Sequence, residues 1–396
     1  MRAAILPGTG PNGQPTTLGV MGGGQLGRMF VHAAQQLGYF TAVLDPDATS
    51  PAGLVSHAHI QTAYDDAQGL AQLAQRCAAI TTEFENVPAP SLSALAAQRP
   101  VAPSAQAVAI AQDRAEEKAH FVRCGVPCAP YAVIASDAHL AAVPDALLPG
   151  ILKTTRLGYD GKGQIRVATR AELAAGWAEL KGVPCVLEQR LQLLDECSVV
   201  VARGADGTVV NLPPQRNLHR DGILAVTEVF EGNLPPALVE SAVSAAKSIA
   251  NGLQYVGVLC VEFFVVADAN ADGGTRLVVN EMAPRPHNSG HYSIEACDVS
   301  QFDLQVRTLA GLPLPQPRQH SPAIMLNLLG DIWGPGGANP PWDAVLALPG
   351  AHLHLYGKLE ARPGRKMGHL TLTAATVAEV RANALAAAAL LGIAPF

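Results

Sequence analysis

Residues 17–38, TLGVMGGGQLGRMFVHAAQQLG, decide the fold of the first part of the chain. An apolar run opens this stretch, a glycine-rich turn follows it, and a helical pattern then continues until it stops at Gly38. FTAVLD at 40–45 predicts a second strand, 65–77 predicts a helix, and AAITTEF at 78–84 predicts a third strand. This alternation of strands and helices predicts a doubly wound parallel sheet.

The later part of the chain predicts antiparallel sheets instead. Its apolar runs are separated by glycine-containing turns of hairpin type, which is typical of antiparallel pairing. The main predicted strands are GILKTT at 150–155, GQIRVA at 163–168, CVLEQRL at 185–191, VLCVEFFVV at 258–266 and TRLVVNEM at 275–282. A proline-rich linker at 312–322 precedes a last segment of strands and one helix. Residues 1–16 contain no apolar run of signal-peptide length, and we interpret them as a loose polar leader.

Composition narrows the classes of function. A chain of 396 residues with 49% hydrophobic and 15% charged residues folds as two or three domains. The net charge of -6 and the lack of a dense Lys/Arg block argue against nucleic-acid partners and anionic membranes. No apolar stretch approaches the roughly 20 residues of a membrane span. The seven cysteines form no CxxC pair, which disfavours disulfide and zinc scaffolds and predicts a cytoplasmic location.

The glycine turn matches the GxGxxG pattern at Gly22–Gly27, and Asp45 ends the next predicted strand. Bare backbone at a helix N-terminus binds phosphate, so this motif taken alone indicates a dinucleotide oxidoreductase. The same turn could hold the phosphate of a smaller ligand. A third interpretation is tight packing of strand on helix, for Gly27 in particular.

A second glycine-rich segment is GYDGKGQ at 158–164, five residues after Lys153. Three glycines and a lysine between two strands favour a cationic flap that closes over a triphosphate. Lys153 could pair with the phosphates as a point charge. The alternative is an ordinary hairpin turn.

Two carboxylates, Glu262 and Glu281, lie in apolar runs that predict strands, and Asn280 precedes the second. A buried acid is costly unless it is paired or binds a metal. Carboxylate and amide oxygens on adjacent strands would hold Mg²⁺ against phosphate oxygens. The alternative is a buried salt bridge to Arg285 or Lys153.

Two polar loops complete the candidate set. APRPHNSGH at 283–291 is dense in hydrogen-bond donors and directly follows the carboxylates. His287 and His291 have HxxxH spacing, but no third ligand supports zinc. RPGRKMGH at 362–369, with Lys358 upstream, indicates an anion site or a solvated basic turn.

Together these motifs resemble the ATP-grasp superfamily and, within it, the bacterial N5-carboxyaminoimidazole ribonucleotide synthases. The resemblance covers about residues 18–390. It is carried by GGGQLGRM at 22–29, EFE at 83–85, GYDGKGQ at 158–164, NLHRDG at 217–222, VGVLCVEFF at 256–264, NEMAPRPHNSGHY at 280–292 and RPGRKMGHL at 362–370. It implies a mixed α/β and α+β fold with a Rossmann-like doubly wound domain over 1–112. An ATP-grasp domain over 113–312, with a lid at about 125–190, and a small β-rich C-terminal domain over 313–396 would follow.

The resemblance also implies a reaction. ATP would phosphorylate bicarbonate to carboxyphosphate, and the amine of 5-aminoimidazole ribonucleotide would be carboxylated to N5-carboxyaminoimidazole ribonucleotide in purine biosynthesis. ATP and Mg²⁺ are the implied cofactors, and a homodimer is the implied assembly. Other interpretations are a different ATP-grasp ligase such as a formate-dependent glycinamide ribonucleotide transformylase, an NAD-dependent oxidoreductase, and a non-catalytic nucleotide-binding module.

Residue roles follow from the matching positions. The implied nucleotide contacts are Arg114, Lys153, Gly158, Tyr159, Asp160, Gly161, Lys162, Gly163, Gln164, Glu188, Gln189, Arg190, Leu191, Glu196, His219, Asn280 and Glu281. The implied substrate contacts are Gln25, Leu26, Glu83, Tyr159, Asp160, Arg285, His287, Asn288, Ser289, Lys358, Arg365 and Lys366. Glu262 and Glu281 would bind the metal, and the implied catalytic residues are Lys153, Tyr159, Asp160, Arg285 and Glu83. A carboxylate, Asp160 or Glu83, or the released phosphate would accept the amine proton. Arg216 stands where some relatives carry histidine, which could alter the phosphate end of the pocket.

Overall fold

The computed structural model describes residues 3–10, 13–156, 163–269 and 274–396. Its N-terminal sheet is parallel, as the sequence predicts, with strand order β3-β2-β1-β4. The strands are β1 Thr17–Met21, β2 Phe40–Leu44, β3 Ala58–Ile60 and β4 Ala79–Thr82. The helices of this part are α1 Gln25–Gln36, α2 Ala67–Arg76, α3 Ala89–Ala96 and α4 Ala105–Ala111.

The second sheet is antiparallel and has the order β5-β8-β6-β7. Its strands are β5 Tyr131–Ile134, β6 Gly150–Thr154, β7 Gln164–Val167 and β8 Cys185–Gln189. The helices of this part are α5 Arg114–Arg123, α6 Asp137–Ala141 and α7 Arg170–Glu179.

The third sheet has nine strands in the order β14-β13-β9-β11-β12-β15-β17-β16, with β10 paired to β9. Its strands are β9 Leu193–Arg203, β10 Val209–Asn211, β11 Gln215–Arg220, β12 Ile223–Val229, β13 Gly257–Ala267, β14 Thr275–Ala283, β15 Ala323–Leu329, β16 Ala351–Leu355 and β17 Lys366–Thr373. The remaining helices are α8 Pro236–Gly252, α9 Ser293–Ala296, α10 Gln301–Ala310, α11 Trp342–Leu346 and α12 Val377–Leu390. Because β12 pairs with β15, one continuous sheet runs across the predicted domain boundary at 312 and 313.

Helix α10 ties the first sheet to the third. Its start is fixed by a capping box in which Ser300 and Asp303 satisfy each other's backbone amides, and it ends at Gly311 with a φ of 69°. Phe302 and Leu309 of this helix belong to the same buried apolar cluster as residues of α1. The N-terminus of α10 is thereby held beside the loop that follows β14.

The leader packs on the body of the protein, so the prediction of a loose segment is wrong for its described part. The amide of Ile5 donates to the carbonyl of Ala310 at 2.8 Å, and the Tyr39 hydroxyl donates to the carbonyl of Ile5 at 2.6 Å. The amide of Gly8 donates to the carbonyl of Gly38 at 3.2 Å. Backbone pairing of this kind uses no side-chain pattern, which is why the polar sequence did not reveal it.

Among the described residues, none of the helices combines the length and the apolar character that a bilayer crossing needs. The seven cysteines are free thiols.

Candidate functional site

A cleft of about 510 Å³ is lined by residues from the second and third sheets and from α5. The structure brings many of the sequence-predicted residues into its wall. These are Arg114, Lys153, Gln164, Glu196, His219, Glu262, Asn280, Glu281, Arg285, His287, Asn288 and Lys366.

The two predicted metal carboxylates face each other across strands. Glu262 of β13 and Glu281 of β14 lie on adjacent strands, as the sequence predicts, and the structure makes them direct register partners. Side chains directly opposite each other on paired strands share one face and lie close together. Burial, reinforced by the charge of Glu281, raises the pKa of Glu262 to about 7. Two neighbouring carboxylates beside an asparagine in a phosphate-sized cleft are a donor set that fits a divalent cation.

The alternative prediction for these carboxylates was a salt bridge to Arg285 or Lys153, and the structure shows other partners. Glu281 Oε2 lies 3.2 Å from Nη1 of Arg114, and Glu262 Oε1 lies 3.2 Å from Nε2 of His287. The structure pairs Lys153 with a different acid. The carboxylates therefore keep their place at the cleft wall beside one cation and one imidazole.

A buried charge triad lies at the base of the cleft. Glu188 is bracketed by two ammonium groups, since its oxygens lie 3.1 Å from Nζ of Lys153 and 3.2 Å from Nζ of Lys118. Burial alone would raise the pKa of Glu188, but Lys153 and Lys118 outweigh it and hold that pKa below its ordinary value. One carboxylate between two cations leaves net positive charge toward the cleft, which suits a phosphate. Sequence reasoning missed Lys118, although it lies four residues after Arg114 on the same helix face.

Glu117 supports the backbone of the carboxylate strand. Its Oε1 accepts the amide of Met282 at 2.7 Å, next to Glu281. Burial, followed by the charge of Glu281, raises the pKa of Glu117 to about 8. Helix α5 therefore contributes Arg114 and Glu117 to the cleft wall and Lys118 to the buried triad. Of these three residues, the sequence indicated only Arg114.

Two other predicted nucleotide contacts are brought together on β9 and β11. Nδ1 of His219 lies 2.6 Å from Oε2 of Glu196. Burial would lower the pKa of His219, but the hydrogen bond to Glu196 and the charge of Glu262 raise it. The pair is therefore a charged edge of the cleft.

Arg216 lies on β11, as His219 does. We expected Arg216 to alter the phosphate end of the pocket, but its side chain pairs with acids elsewhere. Its guanidinium lies 2.6 Å from Asp195 and 3.2 Å from Glu228. Glu228 also accepts from Arg381 of α12 at 2.7 Å. Successive strand residues alternate between the two faces, so Arg216 and His219, three residues apart, point to opposite faces. Through Glu228, Arg216 connects the sheet to the C-terminal helix.

The loop after β14 carries a buried arginine. Nε of Arg285 donates to Oε2 of Glu85, the last residue of the EFE motif. Burial would raise the pKa of Glu85, but the Arg285 guanidinium lowers it to about 2. Sequence reasoning quoted Glu85 as part of a motif and gave it no role.

Gln301 of α10 fixes the shape of this loop. Its Oε1 accepts the amide of His287 at 2.8 Å, and its Nε2 lies 2.8 Å from the carbonyl of His287 and 2.9 Å from Nδ1 of His291. A Cβ on Gly290 would lie 2.4 Å from Oε1 of Gln301, so any larger residue there would displace this amide. His291 is buried, and its Nδ1 lies against this amide.

Three backbone amides of the glycine turn already have carboxylate acceptors. Oxygens of Glu83 accept the amides of Gly24 at 2.7 Å and Gly27 at 3.0 Å, and Asp45 accepts the amide of Gly23 at 2.6 Å. The chain's own carboxylates thus occupy the positions that a phosphate would take. In this structure the amides of Gly23, Gly24 and Gly27 are therefore not available to a phosphate, and the dinucleotide interpretation loses its support.

Glu83, Leu26 and Gln25 are the predicted substrate contacts in and beside the glycine turn. Burial raises the pKa of Glu83 against the opposing effects of the two glycine amides and Arg285. Leu26 is 7% exposed and belongs to an apolar core cluster, so its side chain is not available to a ligand. Gln25 begins α1 and is partly exposed.

The basic loop of the C-terminal segment comprises residues 362–369, and Lys358 lies upstream of it. Nζ of Lys358 donates to the carbonyl of Lys366 at 2.7 Å. Burial, followed by the charge of Arg365, lowers the pKa of Lys358 to about 8. Arg365 donates to the carbonyl of Glu360 at 2.7 Å. Lys366 itself lines the cleft, so the solvated-turn alternative does not describe it.

The predicted flap falls mostly outside the described residues. Gly158, Tyr159, Asp160, Gly161 and Lys162 lie there, while Gly163 and Gln164 are described. The predicted nucleotide contacts Gln189, Arg190 and Leu191 are described. Gln189 donates to the carbonyl of Ala146 at 3.0 Å, and the amide of Arg190 donates to the carbonyl of Pro149 at 3.0 Å. The Leu191 side chain packs with Ala129, Val266 and Val278.

Ser289 is fully buried and lies behind His287, so its side chain does not reach the cleft surface.

A separate group of ligand-type side chains lies where α9 meets the C-terminal strands. Nε2 of His354 lies 2.6 Å from Oε1 of Glu295, and His354 stacks on His369 at 4.5 Å with 9° between the ring planes. Ring nitrogens coordinate a metal within the ring plane, and nearly parallel stacked rings cannot direct both lone pairs at one ion. We therefore interpret this group as a contact between segments.

Known protein families match three consecutive parts of the chain. The model of the ribonucleotide synthetase preATP-grasp domain matches residues 15–112, and the ATP-grasp domain model matches 119–302. The phosphoribosylaminoimidazole carboxylase C-terminal domain model matches 323–383. The N5-carboxyaminoimidazole ribonucleotide synthase of Brucella melitensis is 44% identical over 359 residues, covering 90% of this chain and 96% of the relative. That of Pseudomonas aeruginosa is 41% identical, with coverage of 92% and 97%.

Solved structures are similar over nearly the whole chain. An ADP complex of an N5-carboxyaminoimidazole ribonucleotide synthetase superposes with a TM-score of 0.86 at 35% identity, covering 98% of both chains. An Aspergillus clavatus N5-carboxyaminoimidazole synthase in complex with ADP and 5-aminoimidazole ribonucleotide gives 0.84 at 32% identity, with coverage of 95% and 98%.

Proposed function

Because the chain belongs to the N5-carboxyaminoimidazole ribonucleotide synthases of the ATP-grasp superfamily, we propose that it uses ATP to carboxylate the exocyclic amine of 5-aminoimidazole ribonucleotide with bicarbonate. It is an ATP-dependent enzyme of purine biosynthesis. The observation that carries the proposal is the pairing of Glu262 with Glu281 across two strands, with Arg114 at 3.2 Å from Glu281. That arrangement supports the proposal, because phosphoryl transfer from a triphosphate needs carboxylates that can hold a metal ion and a cation that can neutralise phosphate charge.

The ATP half of the site depends on charge and alignment. Phosphoryl transfer needs little covalent help from the protein, so positioned cations supply most of the catalysis. Lys153 and Arg114 would neutralise phosphate charge, and Glu188 holds Lys153 in place at 3.1 Å. Glu262 and Glu281 would hold Mg²⁺, which when bound neutralises the developing charge on the transferred phosphoryl group.

The part of the site that binds 5-aminoimidazole ribonucleotide would be built from two polar loops. Arg285, His287 and Asn288 come from the loop after β14, and Lys358, Arg365 and Lys366 come from the C-terminal segment. Transfer of the γ-phosphoryl group to bicarbonate would give ADP and carboxyphosphate, which would decompose to CO₂ and phosphate. The amine would attack CO₂ and lose one proton.

Glu83 is the described candidate for that proton. Burial raises its pKa, and a carboxylate with a raised pKa is a stronger base. The other candidate, Asp160, lies outside the described residues. A Glu83→Gln variant that kept full turnover would leave Asp160 as the acceptor.

The test of the function is ADP release by the purified protein with MgATP and bicarbonate, with and without 5-aminoimidazole ribonucleotide. Strong stimulation by the nucleotide is the expected result. Release that depends on formate and glycinamide ribonucleotide would instead identify a transformylase. Hydrolysis that neither acceptor stimulates would contradict the proposed substrate.

Binding of the phosphorylated substrate should weaken above pH 8. The pKa of Lys358 is lowered to about 8 by burial, so its ammonium loses its proton as the pH rises through that value. Loss of this positive charge should raise the KM for 5-aminoimidazole ribonucleotide between pH 7 and 9, while the KM for ATP changes little. Steady-state kinetics across this range check the expectation.

A Lys358→Arg variant serves as the control for this pH effect. Its guanidinium stays charged through pH 9, so the rise in KM should disappear even if the absolute KM differs. An unchanged pH dependence in this variant would assign the effect to another group.

Assembly and location also belong to the proposal. We propose a homodimer in a reducing cytoplasm, and the free cysteines support the second part. Sedimentation of the purified protein measures the first part directly. The domain division at 112 and 312 is retained as a proposal as well.

A further inference from the structure

A buried group of side chains lies between the two loops that would bind 5-aminoimidazole ribonucleotide. These are the loop after β14, at 283–291, and the basic loop at 362–369, with Lys358 upstream of it. His369 ends the basic loop and has 0% exposure. Its contacts reach toward both loops, so it is placed to fix one loop relative to the other.

Tyr356 connects His369 to the predicted substrate residue Lys358. The Tyr356 hydroxyl lies 3.0 Å from Nδ1 of His369, and the Tyr356 amide donates to the carbonyl of Met367 at 2.9 Å. Nζ of Lys358 lies 5.8 Å from the centre of the Tyr356 ring, within the range of a cation–π contact. Tyr356 is 2% exposed, so its ring is a fixed support beside the Lys358 ammonium.

His291 connects His369 to the loop after β14. The centroids of the two imidazole rings are 4.7 Å apart, with 36° between the ring planes. Nδ1 of His291 lies 2.9 Å from Nε2 of Gln301, and the same amide group hydrogen-bonds the backbone N–H and C=O of His287. Because His287 lines the cleft, a continuous path of contacts joins Lys358 on one side to His287 on the other.

His354 supports His369 from the neighbouring strand. The two histidines are direct register partners on β16 and β17, and their rings stack at 4.5 Å with 9° between the planes. Glu295 of α9 anchors His354, since Oε1 of Glu295 lies 2.6 Å from Nε2 of His354. Burial, followed by the neighbouring His291 and His354, lowers the pKa of His369 well below its ordinary value. A neutral ring packs between its neighbours without charge repulsion.

We propose that Tyr356 and His369 are positioning residues that fix Lys358 relative to His287 and thereby set the affinity for the phosphorylated substrate. This inference rests on the proposed function, because it takes both loops to bind 5-aminoimidazole ribonucleotide. Neither side chain is among the described residues that line the cleft, so each acts through its contacts with the loops. Misplacing a binding group by about 1 Å can cost as much as about 10²-fold in activity.

The first test removes one hydroxyl and leaves the ring in place. In Tyr356→Phe, the KM for 5-aminoimidazole ribonucleotide should rise about tenfold, while the KM for ATP stays within about twofold of the wild-type value. Tyr39→Phe is the matched control, because Tyr39 is 1% exposed, belongs to the same apolar cluster and donates to the carbonyl of Ile5 at 2.6 Å. The control should lower the Tm by a similar amount and leave both KM values unchanged. An equal rise of both KM values in Tyr356→Phe would show a general loosening of the fold and overturn the proposal.

A double-mutant cycle tests whether His369 acts through the same contact. His369→Phe keeps an aromatic ring between its neighbours and removes the Nδ1 atom that faces the Tyr356 hydroxyl. The double variant should have the KM for 5-aminoimidazole ribonucleotide of the single variants, because the two substitutions remove one and the same contact. Effects that multiply in the double variant would overturn the joint role of the two residues.

Hydrogen exchange measured by mass spectrometry separates this inference from the function itself. The amides at 283–291 and 362–369 should exchange faster in Tyr356→Phe than in the wild type, and Tyr39→Phe should not show this change. An unchanged KM for 5-aminoimidazole ribonucleotide in Tyr356→Phe would overturn the inference and leave the enzyme's activity in place. Absence of nucleotide-stimulated ADP release in the wild type would refute the proposed function, and the exchange rates would still show whether Tyr356 couples the two loops. These measurements need only Tyr356→Phe and its control, so they decide the matter even if His369→Phe fails to fold.

Discussion

Replacing Glu281 by glutamine is expected to lower kcat by about 10²–10³. The substitution keeps the shape of the side chain and removes the charge that faces Glu262 across the strands and lies 3.2 Å from Arg114. Without it, the cation and the reacting phosphate lose one of their fixed neutralising groups. Nucleotide-stimulated ADP release measures the effect, and ADP affinity by calorimetry shows whether the nucleotide still binds.

The matched control is Glu240→Gln on the exposed side of α8, which should leave kcat within twofold because surface substitutions rarely matter. A Glu281→Gln enzyme with kcat near that of the wild type would show that this carboxylate is not at the reacting centre. A large fall in kcat that is reversed by added Mg²⁺ would place the defect in cation binding alone.

Replacing Arg285 by glutamine is expected to affect both activity and stability. The guanidinium pairs with Glu85, and the two side chains are 19% and 29% exposed. The unfolding free energy should fall by about 2 kcal/mol, between the roughly 0–1 of an exposed pair and the roughly 3–5 of a fully buried one. Turnover should fall by about 10²–10³, since a fixed donor to the substrate is lost. Chemical denaturation and steady-state kinetics measure the two effects separately.

The double variant Arg285→Gln with Glu85→Gln distinguishes pairing from catalysis. It removes the uncompensated carboxylate, so most of the lost stability should return while the activity stays low. Recovery of activity together with stability would mean that Arg285 acts only as a structural partner of Glu85.

Strand and helix patterns predicted the parallel sheet, the antiparallel sheets and the carboxylate pair well. Glu262 and Glu281 stood in long apolar runs, and two such runs joined by a glycine-rich turn pair in a determinable register. The strand β3 was missed because AHI is three residues long and shows no period. The strand β11 was missed because QRNLHR is polar apart from Leu218. The Asn217 side chain bonds to Ser198 and Thr227 on the neighbouring strands instead of packing in an apolar core.

The site was predictable where motif residues face the cleft and unpredictable where they depend on distant partners. Lys118, Glu117 and Gln301 support the site through contacts that join residues far apart in the chain, and no local pattern records such contacts. The glycine turn shows the opposite failure. Its spacing indicated phosphate binding, but the acid that fills it, Glu83, comes 56 and 59 residues later.

The most direct test of the central claim is ¹³C NMR of the product formed from ¹³C-bicarbonate, MgATP and 5-aminoimidazole ribonucleotide. The account predicts a labelled carbamate carbon on the exocyclic nitrogen, formed together with ADP and only when ATP is present. ADP formation with the label remaining entirely in bicarbonate, under conditions in which a known synthase yields the carbamate, would contradict it.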